Sequence, residues 1–346
     1  MATLRELADR MVALGMVTEE KADAVLADIG RWRKEHLDEQ LDERDLFGWL
    51  PEFGIAISVH GDDVDFVEDY YRRLLEETVT ACTGGAVVIT GVRLLRDEDF
   101  GEFLYFLRNG EPVWWHVEHE SDDYVDQMAV FEQFGDLDPG GDDPREFYQL
   151  LRKKHESCQD DVYVLATPEQ ARALRDEFGL DFCGLDAERH DSIVRANTFL
   201  DSWLSEMDDA LAAWRTRFLP GDFPFDFSFD SLTALGRLLL ARFDGWSAVN
   251  RAAEEPFVSG AVRYLGETLI RAVPCRWSCW YVEDEPVLEI VSDTPAAFRA
   301  SVVPLNALAR AAGDRDPGAL DTPVEELRDA VDQYARMRRL LSAEVP

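Results

Sequence analysis

Lysine is nearly absent from this 346-residue chain: of 35 basic residues, Lys21, Lys34, Lys153 and Lys154 are the only lysines and 31 are arginines. Arginine in place of lysine, with abundant Ala, Asp and Leu, fits a GC-rich bacterial or haloarchaeal genome. Cysteine is scarce too. Cys82, Cys158, Cys183, Cys275 and Cys279 are too few and too scattered for a disulfide scaffold, and their odd number leaves one unpaired, so free thiols in a reducing compartment are expected. No apolar run approaches the ~18 residues that cross a bilayer. Arg5, Glu6, Asp9 and Arg10 stand where a secretion signal needs an apolar stretch. The chain is therefore expected to stay in the cytoplasm, off the membrane. Also missing are a Gly-x-Ser-x-Gly elbow, a phosphate-binding loop, a His-Glu-x-x-His helix and a dinucleotide fingerprint. Nothing in the sequence calls for a cofactor.

What is present in excess is negative charge. Seventy acidic residues face 35 basic ones, a net charge of −35. Such a surface repels nucleic-acid phosphates and anionic lipid, and favours basic partners. The excess is uneven: residues 51–150 hold 24 acidic and 6 basic residues, a net −18, about half the total. A uniform adaptation to high salt would spread the acids more evenly, and two readings stand side by side: a dedicated acidic face, or an acidic globular protein without a specific interface whose charge reflects general proteome acidity or a salty environment.

With 46% hydrophobic residues and a length beyond what one core usually serves, two domains are expected: an acidic α+β domain over 1–185 with N-terminal helices, and a helix-rich α+β domain over 186–346. In the first, helices are predicted over 3–14, 18–36, 64–81 (capped by Asp62 or Asp63), 123–134, 144–154 and 168–178. The last carries Thr167 as cap, Pro168 at its first position and Gly179 as its stop. Strands are predicted over 54–59, 86–90, 103–107, 113–117 and 161–166, with Asn109-Gly110 turning one hairpin. In the second, a single long helix over 189–218 precedes an aromatic segment, Pro220 to Phe229, read as an edge strand or extended loop, with Pro224 favouring an edge. Helices near 230–242, 254–272 and 323–342 and a hairpin over 276–292 follow.

The most unusual stretch is Trp114-Trp-His-Val-Glu-His-Glu-Ser-Asp-Asp-Tyr-Val-Asp126. A strand over 113–120 would place His116, Glu118 and Glu120 on one face, because side chains alternate. Imidazole and carboxylates so placed can hold a divalent metal, with Asp122 and Asp123 beyond and His60 or His155 as distant ligands, the outline of a metal-dependent hydrolase. The same residues also suit protein recognition, with Trp114 as an apolar anchor among Glu118, Glu120, Asp122, Asp123 and Asp126. Their simplest reading is a half-exposed strand. Cys275 and Cys279, four apart on a strand, stand about 13 Å apart, too far for a disulfide.

Phe257-Val-Ser-Gly-Ala-Val-Arg-Tyr-Leu-Gly-Glu-Thr-Leu269, followed by Arg276-Trp277 and a hairpin, resembles a helix-then-strand pattern of uncharacterised bacterial proteins of the toxin-immunity type, over roughly residues 230–305. The resemblance implies a protein that neutralises a toxin by binding it, without catalytic residues. Gly260 and Gly266 in this helix would admit a closely packed neighbour. The expectation from the sequence is thus a non-enzymatic, immunity-like binding protein whose acidic face engages a basic protein.

Overall fold

The first helices start where a side chain takes up an orphan amide. Thr3 and Glu6 cap α1 (Leu4–Ala13) reciprocally, Thr18 accepts from the Lys21 amide at the start of α2 (Glu19–Trp32), and Asp42 and Asp45 repeat the reciprocal cap on α3 (Glu43–Trp49). A computed structural model describes residues 3–32, 34–61, 64–151, 160–185, 189–282 and 284–343. The proposed caps Asp62 and Asp63, together with His155 and Cys158, lie outside the described residues. The chain is an α+β protein and divides into two units, Met1–Ala187 and Glu188–Pro346. Among the described residues no helix is long and apolar enough to cross a membrane, and Cys82, Cys183, Cys275 and Cys279 are free.

After β1 (Ala56–Val59), one continuous helical stretch runs through α4 (Val67–Arg72), a π-helical segment (Arg73–Val79) and α5 (Thr80–Cys82). A meander follows: β2 (Ile89–Asp97), β3 (Gly101–Arg108) and β4 (Glu111–Val117), then α6 (Gln127–Gln133). Asn109 and Gly110 both take positive φ, 52° and 87°, as the two-residue turn between β3 and β4 requires. Residues 144–154, expected to be helical, instead contain β5 (Glu146–Leu151). It pairs with β6 (Asp161–Ala166), and after α7 (Pro168–Phe178) a short β7 (Asp181–Phe182) completes an antiparallel sheet of order β1-β6-β5-β7. The cause is long-range: Tyr148 and Leu150 alternate into the core while the backbone of β5 is satisfied by β6, a partner that no local periodicity reveals.

β6 sits between two cores. Val162 and Val164 join α1, α2, α3 and α7 on one face; Tyr163 and Leu165 join the 67–82 helical stretch and the meander on the other. That is why Val162 to Ala166 is an unbroken apolar run. Carboxylates of the 67–82 stretch complete β2: Glu68 accepts from the Leu94 amide at 3.1 Å and Glu76 from the Val92 amide at 3.0 Å. The pairing of β2 with β3 shifts between Thr90 and Arg93.

In the second unit the expected long helix is two, α8 (Arg189–Ser205) and α9 (Met207–Phe218). The buried guanidinium of Arg263, sixty residues on, donates to the Trp203 carbonyl at 2.8 Å and lies 3.4 Å over the Trp203 ring, capping α8 where the helix breaks. Then come α10 (Phe229–Arg242), α11 (Trp246–Arg251), α12 (Pro256–Ala272), β8 (Cys275–Val282), β9 (Glu285–Ser292), β10 (Ser301–Val302), α13 (Pro304–Asp314) and α14 (Thr322–Ala343), with sheet order β10-β9-β8. The segment 223–227 is a loop rather than an edge strand: Phe223, Phe225 and Phe227 pack on Tyr264, whose hydroxyl accepts from the Phe227 amide and donates to Ser231. α12 is buried along nearly its whole length, and its glycines are contact points. A Cβ on Gly260 would stand 2.0 Å from the Trp214 ring, and one on Gly266 2.1 Å from the Trp277 ring.

Gly266→Ala is therefore expected to lower the unfolding free energy by about 1–3 kcal/mol through overpacking, read from urea denaturation. A second outcome concerns Asp138, which accepts from the Phe147 amide at 2.6 Å where β5 begins. Burial pushes its carboxyl up to about 6, with the charges of Glu146 and Asp136 adding to the push against the Phe147 amide and Arg108. The folded chain thus holds this proton more tightly than the unfolded one. The stabilisation it gives is complete below the ordinary carboxylate range and is lost as pH rises through about 6. Asp138→Asn, which keeps the acceptor, should gain stability relative to the wild type between pH 4.5 and 7.5, measured by urea denaturation at both.

Candidate functional site

The unusual stretch is a strand end followed by a fixed loop. β4 stops at Val117, so the alternation that would set Glu118 and Glu120 beside His116 does not extend to them. From Glu118 the chain turns away, and its path is held by hydrogen bonds. Asp126 accepts from the Glu118 amide at 2.8 Å and from the Ala129 amide at 2.9 Å, closing the loop and capping α6 with one carboxylate. The neighbouring segment is tied to it through Val64 N–H to the Asp123 carbonyl, 3.1 Å, and Val125 N–H to the Gly61 carbonyl, 3.0 Å.

Beneath the loop lies His119, its side chain 2% exposed. Its Nδ1 meets the Glu102 carboxylate of β3, and its Nε2 lies 3.1 Å from the Tyr71 hydroxyl of α4. A carboxylate only accepts, so Nδ1 carries the hydrogen; Nε2 then accepts from Tyr71, and the Tyr71 oxygen accepts from the Asp126 amide at 3.2 Å. This tautomer is inferred from the order of donors and acceptors. Burial pushes the Tyr71 phenol well above its ordinary range, which keeps it a donor. On the other side, the second oxygen of Glu102 accepts from Arg96 Nε at 2.7 Å, and Arg96 Nη2 reaches Asp122 at 2.7 Å. The chain Asp122–Arg96–Glu102–His119–Tyr71–Asp126 thus begins and ends on the acidic loop. With both ring nitrogens engaged, His119 works as a support for the loop, without a nitrogen to spare for a metal or a reacting proton.

Next to it, His60 Nδ1 and Asp160 Oδ1 stand 2.5 Å apart, Ser58 donates to the other Asp160 oxygen at 2.8 Å, and the His60 amide donates to the Tyr70 hydroxyl at 2.6 Å. Ser58 and His60 both bind the carboxylate, so the order differs from a nucleophile–base–acid relay, in which the hydroxyl would meet the imidazole.

The residues singled out from the sequence separate into distinct roles. Trp114 is 3% exposed, its ring 4.8 Å from that of Tyr105, and is no surface anchor; both it and Trp115 are covered, on opposite faces of the strand. His116 packs against Phe103, its cross-strand partner. Asp126 is spent on the loop and the α6 cap. Glu118, Glu120, Asp122 and Asp123 are exposed. Among the described residues no three His, Cys, Asp or Glu side chains gather as metal ligands.

The sequence reading passed over the apolar groups that the fold leaves uncovered beside these acids. Tyr124 of the loop is 43% exposed, Met128 of α6 62%, and Phe66, just after the segment tied to the loop, 69%. Phe131, three residues after Met128, shares its exposed helix face, while Ala129 and Val130 point inward. The sequence signal was present: Met128 and Phe131 at a spacing of three, flanked by acids, with a buried pair between them.

Replacing His119 by Ala leaves the Tyr71 O–H without its acceptor and takes from Glu102 one of its two donors, Arg96 being the other. The expected loss is about 2–3 kcal/mol of unfolding free energy, with faster amide exchange across 118–126, whereas Glu120→Gln stays within about 0.5 kcal/mol of the wild type; urea denaturation and hydrogen exchange check both. Comparison with protein-family models, with curated proteins and with solved structures returned no match for this chain.

Proposed function

We propose that this chain is a non-enzymatic binding protein, immunity-like, that engages a basic protein through the loop 118–126 and the adjoining exposed face of α6. The observation that carries the reading is the combination at one place of exposed carboxylates, Glu118, Glu120, Asp122 and Asp123, with exposed Tyr124, Met128 and Phe131, on a loop that hydrogen bonds already hold in shape. Interfaces combine these elements: aromatic and Met side chains supply the buried contact, and charge outside it steers approach and sets salt dependence. A loop that is ordered before binding loses little conformational freedom on binding. The partner's chemistry follows from the charge: a surface rich in Arg and Lys with an apolar patch, as on a nuclease toxin that binds phosphates with the same face.

Capture from the native host at low salt should recover a basic protein whose affinity falls steeply as salt is raised. Neutralising the loop (Glu118→Gln, Glu120→Gln, Asp122→Asn and Asp123→Asn together) should slow association by about 10- to 100-fold, while Met128→Ser should chiefly speed dissociation, both by surface plasmon resonance. Recovery of no basic protein, or equal binding by the neutralised variant, defeats the reading. Where the captured protein is a nuclease, its activity in vitro should be suppressed by the wild type and spared by the neutralised variant.

A further inference from the structure

β8 is the outer strand of the sheet β10-β9-β8, and it pairs with β9 without a break, from Cys275 opposite Ser292 to Val282 opposite Glu285. We propose that its free edge is a dimer interface, on which a second copy of the chain adds its own β8 in antiparallel pairing centred on Cys279. The proposal stands apart from the acidic loop and needs no partner there.

The direction of the backbone follows from the far side of the sheet. The Ser292 amide donates to the Ala300 carbonyl at 3.0 Å, so the even-numbered residues of β9 face β10 and the odd-numbered ones face β8. By the register of the pair, Ser278 and Trp280 bond to β9, and the N–H and C=O groups of Trp277, Cys279 and Tyr281 point outward. Among the described residues none of these outward groups has a hydrogen-bond partner, whereas at β2 the Val92 and Leu94 amides are taken by Glu76 and Glu68. The strand also lacks what blunts an edge: it holds no Pro, Gly or Lys, no bulge, and one charge, Arg276. A row of alternating donors and acceptors fits another extended backbone and little else.

The side chains select β8 itself as that backbone. Its inner face is occupied, with Trp277 against Gly266 and Trp203, and the Tyr281 ring under Arg195 of α8. Its outer face is open, with Trp280 46% and Val282 48% exposed. A reversed β8 centred on Cys279 sets Trp280 opposite the second copy's Ser278 and diagonal to its Trp280, within reach of a ring. Val282 comes opposite the second copy's Arg276, whose aliphatic stem covers it. Arg276 thereby stands two strand spacings, about 10 Å, from the exposed Glu285 of the second copy, a span that two long side chains of opposite charge can close. The strand is complementary to itself in backbone, apolar surface and charge, as a two-fold interface requires.

Sedimentation velocity of the full chain at concentrations up to about 100 µM tests this. A monomer–dimer equilibrium is expected. Each copy carries a net charge of −35, so raising the salt should tighten the dimer, the reverse of its effect on a basic partner. Trp280→Lys, which puts a charge at the middle of the outer face, should weaken it at least about tenfold. Cys279→Pro should do the same, because it removes an outward amide and spares the bonds to β9. A short bismaleimide should join the two copies at Cys279, whose Cα atoms would stand about 5.5 Å apart, and Cys279→Ser should dimerise like the wild type without being joined. Circular dichroism confirms that each variant is folded; if Cys279→Pro is not, Trp280→Lys decides. A monomer at every concentration and salt, a dimer undiminished by folded Trp280→Lys, or a dimer that the reagent does not join at Cys279 overturns the proposal.

Discussion

A histidine closed off between a carboxylate and a phenol sets the shape of the acidic loop in the first unit. Glu102, His119 and Tyr71 come from β3, the chain after β4 and α4, and each fills the other's hydrogen-bonding capacity inside the fold. Four exposed carboxylates within six residues push one another apart, each pair by about 1 kcal/mol or less in water and less again in salt, and Arg96 offsets part of this by pairing with Asp122. Losing one partner of a buried polar chain costs about 1–3 kcal/mol. The buried chain therefore opposes the repulsion, and hydrogen bonds hold the loop in shape while it presents charges that would favour an open ensemble.

The same comparison corrects what residue counts imply about surface charge. Half of the net charge falls within residues 51–150, but many of those acids are occupied. Glu68 and Glu76 take the amides of β2, Asp136 takes the Trp115 indole, Asp138 the Phe147 amide, and Asp143 pairs with Arg145. These carboxylates complete a fold whose β2 is out of register with β3 beside Gly91. The residue count therefore overstates the free surface charge of this segment, although Glu118, Glu120, Asp122 and Asp123 do face solvent together on the loop.

Local chemistry was legible and distant chemistry was not. Thr167, Pro168 and Gly179 mark the ends of α7, and the structure uses all three as caps; Asn109-Gly110 turns the hairpin it signals. Each of these depends on atoms within four residues. The misread elements depend on partners far along the chain: β5 on β6, and the break between α8 and α9 on Arg263. The site failed for the same reason at finer scale. His116 and His119 differ by three positions, but only the end of the β4 ladder decides that the first packs on Phe103 and the second turns inward to Glu102. Trp114 looked like an anchor because a sequence cannot say that both faces of β4 are covered.

Arg263 carries this reasoning into the second unit. A buried guanidinium costs free energy unless it is paired, and burial pulls this one below its ordinary range. Its partners are the Trp203 carbonyl and ring and, more distantly at 3.8 Å, the exposed Glu206. One residue of α12 thereby ends α8, fixes the orientation of Trp203 and covers one face of its indole. The opposite consequence falls on the indole nitrogen, held in place with no acceptor among the described residues. A helix packed so closely that Gly260 and Gly266 touch tryptophan rings has no slack to relieve that atom by shifting. The unmet donor is thus a consequence of the rigidity imposed by Arg263 and the glycines of α12, which hold the ring where close packing and not hydrogen bonding decides its place.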